Sequence, residues 1–178
     1  MYLTYPGKRD FTDIYAGVEP ARLERLQDTR SDNKLIRGEN LAVLKALITD
    51  YQLAGQIDLV YIDPPYATNQ VFTYSDERSN TISASKNGRI AYQDTLTGPA
   101  FLEFLRERLF LLRELLSDRG SIYLHIDYKI GHYVKIILDE VFGIENFRND
   151  IARVKCNPKN FNRLAYGNQK DLILFYSK

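Results

Sequence analysis

Apolar residues recur along this chain with two periods, and the switches between them outline alternating helices and strands. Residues 40–49 place Leu41, Leu44 and Ile48 three to four positions apart, with Val43 and Leu47 widening the stripe, which predicts a helix with Asn40 as its N-cap. Gly55 breaks that pattern, and the β-rich run 57–62 (IDLVYI) follows as the clearest strand. The longest helix is predicted over 99–116, where Phe101, Leu105, Leu109, Leu112 and Leu116 share one face. Pro99 suits its first turn, and Asp118-Arg119-Gly120 is expected to close it. Residues 121–126 (SIYLHI) form a second strand, and Ile130, Val134, Ile137 and Val141 mark a helix stopped near Gly143. Two further strands are expected at 151–154 and 171–176, together with a short one at 34–37 (KLIR).

Strands alternating with helices predict an α/β fold around a mostly parallel sheet. Its near-continuous apolar strands suit burial on both faces. The last two strands are joined through a basic loop instead of a helix, so they are expected as an antiparallel edge. Residues 1–33 show little periodicity and read as an N-terminal extension. Residues 67–97 are rich in Ser, Thr, Asn and Asp and read as a long irregular loop, a class that tends to carry function.

Composition narrows the function. The chain has 178 residues, 44% hydrophobic and 26% charged, which suits one globular domain. No apolar run reaches the roughly 18 residues of a spanning helix, and the polar start does not read as a secretory signal. One cysteine, Cys156, excludes an internal disulfide framework, and with only His125 and His132 no metal site is expected. The net charge of +1 hides an asymmetry. Arg148, Arg153, Lys155, Lys159, Arg163, Lys170 and Lys178 face only Asp150 and Asp171 across residues 148–178, which gives that stretch +5. A basic segment of this kind suits either a polyanion or an ordinary solvated surface.

The segment that carries chemistry is Asp63-Pro64-Pro65-Tyr66, directly after the strand 57–62. Ligands of open α/β sheets bind beyond the carboxyl ends of the strands. Two prolines fix the backbone and remove two N–H donors, so the turn offers carbonyl acceptors beside the Asp63 carboxylate. Tyr66 adds a flat aromatic face. Acceptors beside a stacking surface describe a receptor for a planar base with an exocyclic amine, adenine or cytosine; stacking alone contributes roughly 1–3 kcal/mol.

This motif resembles that of the amino-methylating DNA methyltransferases, and the likeness extends through residues 33–45, 57–66, 108–127, 141–147 and 170–178, with 3–8 similar to a short N-terminal motif. The pattern is similar to the beta-class adenine-specific enzymes, which include the modification (Mod) subunits of type III restriction–modification systems. The resemblance implies a Rossmann-like methyltransferase fold, S-adenosylmethionine as cofactor, DNA as substrate and a prokaryotic cytoplasm. It implies that Asp63 and the Pro64 carbonyl accept hydrogen bonds from the target amine, with Pro65 shaping the turn and Tyr66 stacking on a base flipped out of the duplex. Asp at position 63 resembles the adenine-N6 enzymes; cytosine-N4 enzymes usually carry Ser there.

The same resemblance puts Gly38, Glu39 and Asn40, with Asp63, beside the cofactor, although a turn and N-cap explain Asn40 equally simply. Thr68 and Asn69 in the loop, and Lys155, Lys159 and Arg163 in the basic segment, are candidates for DNA contact, the cations through phosphates. Asp127 could line the pocket or serve a turn, and His125 reads as a structural histidine. Members of the class carry a Phe-x-Gly-x-Gly cofactor segment and a target-recognition region downstream of the catalytic motif, and no Gly-x-Gly occurs here. Residues 34–178 are therefore expected to be the catalytic half of a methylase domain, completed by a C-terminal portion and partnered by a restriction subunit. A cytosine-N4 enzyme, or a non-catalytic DNA-binding remnant of such a methylase, is the alternative.

Overall fold

The computed structural model of the protein describes residues 2–27, 32–65, 96–155, 164 and 166–178, and the backbone of two strands at 70–74 and 89–94. Its elements in chain order are α1 (Phe11–Gly17), α2 (Asn40–Thr49), β1 (Ile57–Ile62), β2 (Gln70–Tyr74), β3 (Arg89–Asp94), α3 (Gly98–Leu115), β4 (Leu116–Ile126), α4 (Tyr128–Phe142), a 3-10 turn (Ile144–Asn146), β5 (Phe147–Val154) and β6 (Lys170–Ser177).

The apolar stripe of α3 folds as its spacing requires. Phe101, Leu105 and Leu109 are fully buried against Val60 of β1, Ile122, Leu124 and Ile126 of β4, and Val134 and Ile137 of α4. Each such side chain contributes about 1.5–3 kcal/mol when taken out of water. Tyr128–Phe142 becomes α4 because Asp127 accepts from the Lys129 N–H at 2.8 Å and caps it, while Gly143 ends it with φ 91°. His132 lies on its exposed side.

The main sheet has the order β1-β4-β6-β5. β1 and β4 are parallel, but β4–β6 and β6–β5 are antiparallel. The expected antiparallel C-terminal edge is present, whereas the mostly parallel sheet is corrected to a mixed one. The reason is the pairing: β6 slots between β4 and β5 and runs antiparallel to both, so consecutive strands β5 and β6 are neighbours without a parallel crossover.

Burial on both faces is also corrected for the described residues. Val60, Ile122, Leu124, Leu172 and Tyr176 point to the helices and are buried. Leu59 and Tyr61 on the other face of β1 are 62% and 58% exposed, with Tyr123 and Phe175 stacked at 4.4 Å between ring centres on the same side.

Three local expectations also change. Residues 34–37 form no strand, and Leu35 is fully exposed; a strand needs a neighbour to pair with, and the main sheet contributes none to this segment. The loop 67–97 contains the antiparallel pair β2–β3. The segment read as an extension contains α1, whose Ile14 is fully buried.

Asp118-Arg119-Gly120 does not close α3. The helix ends at Leu115, β4 starts at once, and these residues form an irregularity in its pairing with β1 between Ile57 and Leu59. Gly120 is required there by close approach. A Cβ would lie 2.8 Å from the Ser117 carbonyl oxygen and 3.0 Å from that of Ile57, both main-chain atoms. Gly120→Ala is expected to cost about 1–3 kcal/mol, read as a lowered melting temperature; an unchanged melting temperature would show that β4 can shift away.

Candidate active site

β1 delivers Asp63 to the carboxyl edge of the sheet, where it is exposed beside a half-buried Pro64 and an exposed Pro65. The register pairs Ile62 with Leu124, so the next step along both parallel strands sets Asp63 beside His125. The His125 Nδ1 lies 3.1 Å from Asp63 Oδ1. On its other side, Nε2 lies 3.5 Å from Oδ2 of Asp171, the second residue of β6.

Asp171 is buried, and two cations from the basic segment surround it. Arg153 donates to its Oδ2 at 3.2 Å, and Lys155 Nζ lies 2.5 Å from Oδ1, an ion pair without hydrogen-bond alignment. A buried carboxylate is tolerated only when paired in this way. Lys155, expected on DNA phosphates, is thus engaged with Asp171, and so is Arg153. Asp127, two residues beyond His125, is occupied as the N-cap of α4.

Gly38, Glu39 and Asn40 enter α2. The cap is Glu39, not Asn40: the Glu39 Oε2 accepts from the Ala42 N–H at 2.9 Å, and its main-chain carbonyl accepts from Val43 at 3.1 Å. Arg108 of α3 ties this turn down, donating to Glu39 Oε1 at 2.7 Å and to Asn40 Oδ1 at 2.6 Å. Its guanidinium also lies over the Phe104 ring. Burial alone would raise the Glu39 carboxyl, but the Ala42 and Leu41 N–H groups and the Arg108 guanidinium outweigh it and hold the group below its ordinary value. Burial lowers the Arg108 guanidinium, against the pull of Glu39. Tyr66, Thr68, Asn69, Lys159, Arg163 and Cys156 lie outside the described residues.

Sequence reading singles out Asp63 and the α2 turn but not Arg108 or Asp171, and gives His125 a structural role. One signal was available: His125 and Asp171 are polar residues at the ends of apolar strands, and opposite strand directions bring those ends to one sheet edge.

An exposed acidic strand end followed by two prolines thus lies at the carboxyl edge of the sheet, where ligands of open α/β sheets bind. The chain belongs to the DNA methylase family, whose N6/N4 methyltransferase profile matches residues 57–178. It is 38% identical to the type II methyltransferase M.EcaI of Enterobacter cloacae, over 99% of this chain and 37% of that protein. The EcoP15I Mod subunit of a type III restriction–modification enzyme from Escherichia coli is 30% identical over 99% of this chain and 30% of its own length. The EcoPI Mod subunit of Escherichia phage P1 is 31% identical over 85% and 25% respectively. The chain therefore spans about a third or less of the curated relatives it matches. Among the described residues no helix is long and apolar enough to cross a membrane.

Proposed function

We propose that this chain is the part of an adenine-N6 DNA methyltransferase that carries the catalytic motif, acting with further sequence that completes the cofactor and DNA sites. The observation that carries this reading is Asp63-Pro64-Pro65 at the open carboxyl edge of β1, inside the stretch matched by the DNA methylase family.

The chemistry follows from the acceptors. An aromatic amine is a poor nucleophile because its lone pair is delocalised into the ring. The Asp63 carboxylate and the Pro64 carbonyl would each accept a hydrogen bond from that amine and favour a tetrahedral nitrogen. Positive charge then develops on the nitrogen, and a carboxylate already in place stabilises it. Holding amine and methyl donor in line supplies much of the remaining acceleration. Tyr66 would stack on the flipped base, at the unstacking cost of a few kcal/mol.

The residues present suit S-adenosylmethionine, which supplies a methyl group on a cationic sulfur. Asp63 is an exposed carboxylate, and a second exposed carboxylate, Glu39, is held ionised by its N–H and Arg108 partners. Gly38, Glu39 and Asn40 would border the cofactor and Asp63 its reacting end. Thr68, Asn69, Lys159 and Arg163 would contact DNA, while Lys155 is held by Asp171. Two of the similar proteins are Mod subunits of type III restriction–modification enzymes, which supports a restriction subunit as partner and a prokaryotic cytoplasm as the place of action.

The test uses the full-length protein with methyl-labelled S-adenosylmethionine and duplex DNA, followed by digestion to nucleosides. Label in N6-methyladenine is expected. Label in N4-methylcytosine would overturn the choice of base, and unlabelled DNA would favour the non-catalytic remnant.

A further inference from the structure

We propose that His125 and Asp171 form a positioning pair for the Asp63 carboxylate, a step that rests on the methyltransferase reading above. Side-chain exposure falls along the line from 57% at Asp63 to 8% at His125 and 1% at Asp171. The line therefore runs from solvent into the junction of β1, β4 and β6, where the partly exposed Arg153 and Lys155 meet Asp171 from the other side. Its outer end is an accessible carboxylate at the edge where ligands of such sheets bind.

The geometry gives His125 a definite task. The terminal torsion of an aspartate is broad, so the orientation of its carboxylate is set by the groups around it. With protons on both ring nitrogens, His125 turns Nδ1–H toward Asp63 Oδ1 at 3.1 Å and Nε2–H toward Asp171 Oδ2 at 3.5 Å, and so biases the plane of the Asp63 carboxylate. A carboxylate has about four lone-pair sites, so this contact does not exhaust its capacity to accept. Asp171 at Nε2 fixes the ring, since imidazole orientation is set by what its second nitrogen meets. Arg153 and Lys155 in turn make the buried Asp171 charge tolerable. Four strands thus place polar or charged groups at one point where sheet packing alone would favour apolar residues.

The experiment compares H125A, H125N and H125Q in the full-length protein by steady-state methylation and melting temperature. H125A is expected to lower kcat about 10- to 100-fold, with KM for DNA and for S-adenosylmethionine little changed. The Asn side chain places its N–H near the position of Nδ1, whereas the Gln side chain extends past it. H125N is therefore expected to recover most of the lost kcat and H125Q much less, an ordering that a merely structural role would not produce. Wild-type turnover in H125A, equal rates in H125N and H125Q, or an H125N protein that does not fold would each overturn the proposal. An inactive wild-type protein would instead overturn the methyltransferase reading itself.

Discussion

Asp63→Ala in the full-length protein is expected to reduce methyl transfer by about 10²- to 10³-fold, the scale seen when one preorganised electrostatic contact to a transition state is removed. The loss should fall on kcat, because the carboxylate acts on charge that develops only as the nitrogen becomes bonded to the methyl group. DNA affinity should change little, since it rests on phosphate contacts made by cations elsewhere. Stability should also change little: Asp63 is exposed at a strand end, and the covered face of β1 is anchored by Val60. Asp63→Asn is the informative companion. It keeps a carbonyl acceptor of the same reach but loses the charge, and its amide adds two donors where the amine also donates. It is expected to retain more activity than the alanine variant and far less than wild type. Measured turnover of Asp63→Ala within about tenfold of wild type would remove Asp63 from the chemistry, whatever the family resemblance.

The legible part of this protein is the part whose cause is local. The α3 stripe, the Gly143 stop of α4 and the apolar run of β1 each depend on neighbours within a few residues, and each folds as its spacing indicates. Asp63-Pro64-Pro65-Tyr66 was readable for the same reason, being contiguous. The parts that could not be read depend on pairing. Residues 34–37 have strand composition but no partner in the main sheet, and β6 takes a place between β4 and β5 that no local pattern specifies. That insertion brings Asp171 to His125 across 46 positions of sequence. Periodicity also could not show which face of the sheet stays open, because a run such as IDLVYI is apolar on both sides whether or not both are covered. Arg108 illustrates a third case. Its position on a long helix reads as ordinary solvated charge, and only the packing of α2 against α3 shows that it holds Glu39 and Asn40.

Arg106→Ala is expected to destabilise the full-length protein by about 3–5 kcal/mol, the range for breaking a buried ion network by removing one partner. Arg106 lies on α3 and is almost wholly buried. Its guanidinium donates to Glu140 Oε1 at 2.8 Å, to Glu103 at 3.1 and 3.2 Å and to the Arg9 carbonyl at 2.9 Å. It thereby joins α3, α4 and the N-terminal segment at one point. The same two carboxylates receive that segment directly, through Tyr5 on Glu103 and Lys8 on Glu140. Burial, then the hydrogen bond to Glu103, raises the Tyr5 hydroxyl well above its ordinary value, so it stays a donor. Removing Arg106 leaves both glutamates desolvated and short of their main cation, and opens a cavity beside Phe110, over whose ring the guanidinium lies. Lys8→Ala is expected to cost less, since its site is partly open and Arg106 still faces Glu140. Arg106→Lys should fall between the two, because an ammonium cannot reach two carboxylates and a carbonyl as a planar fork does. Denaturant midpoints of the three variants check the order. An Arg106→Ala loss below about 1 kcal/mol would mean that the network behaves as a surface ion pair, and that the burial of Ile14 with the Tyr5 and Lys8 contacts holds the N-terminal segment.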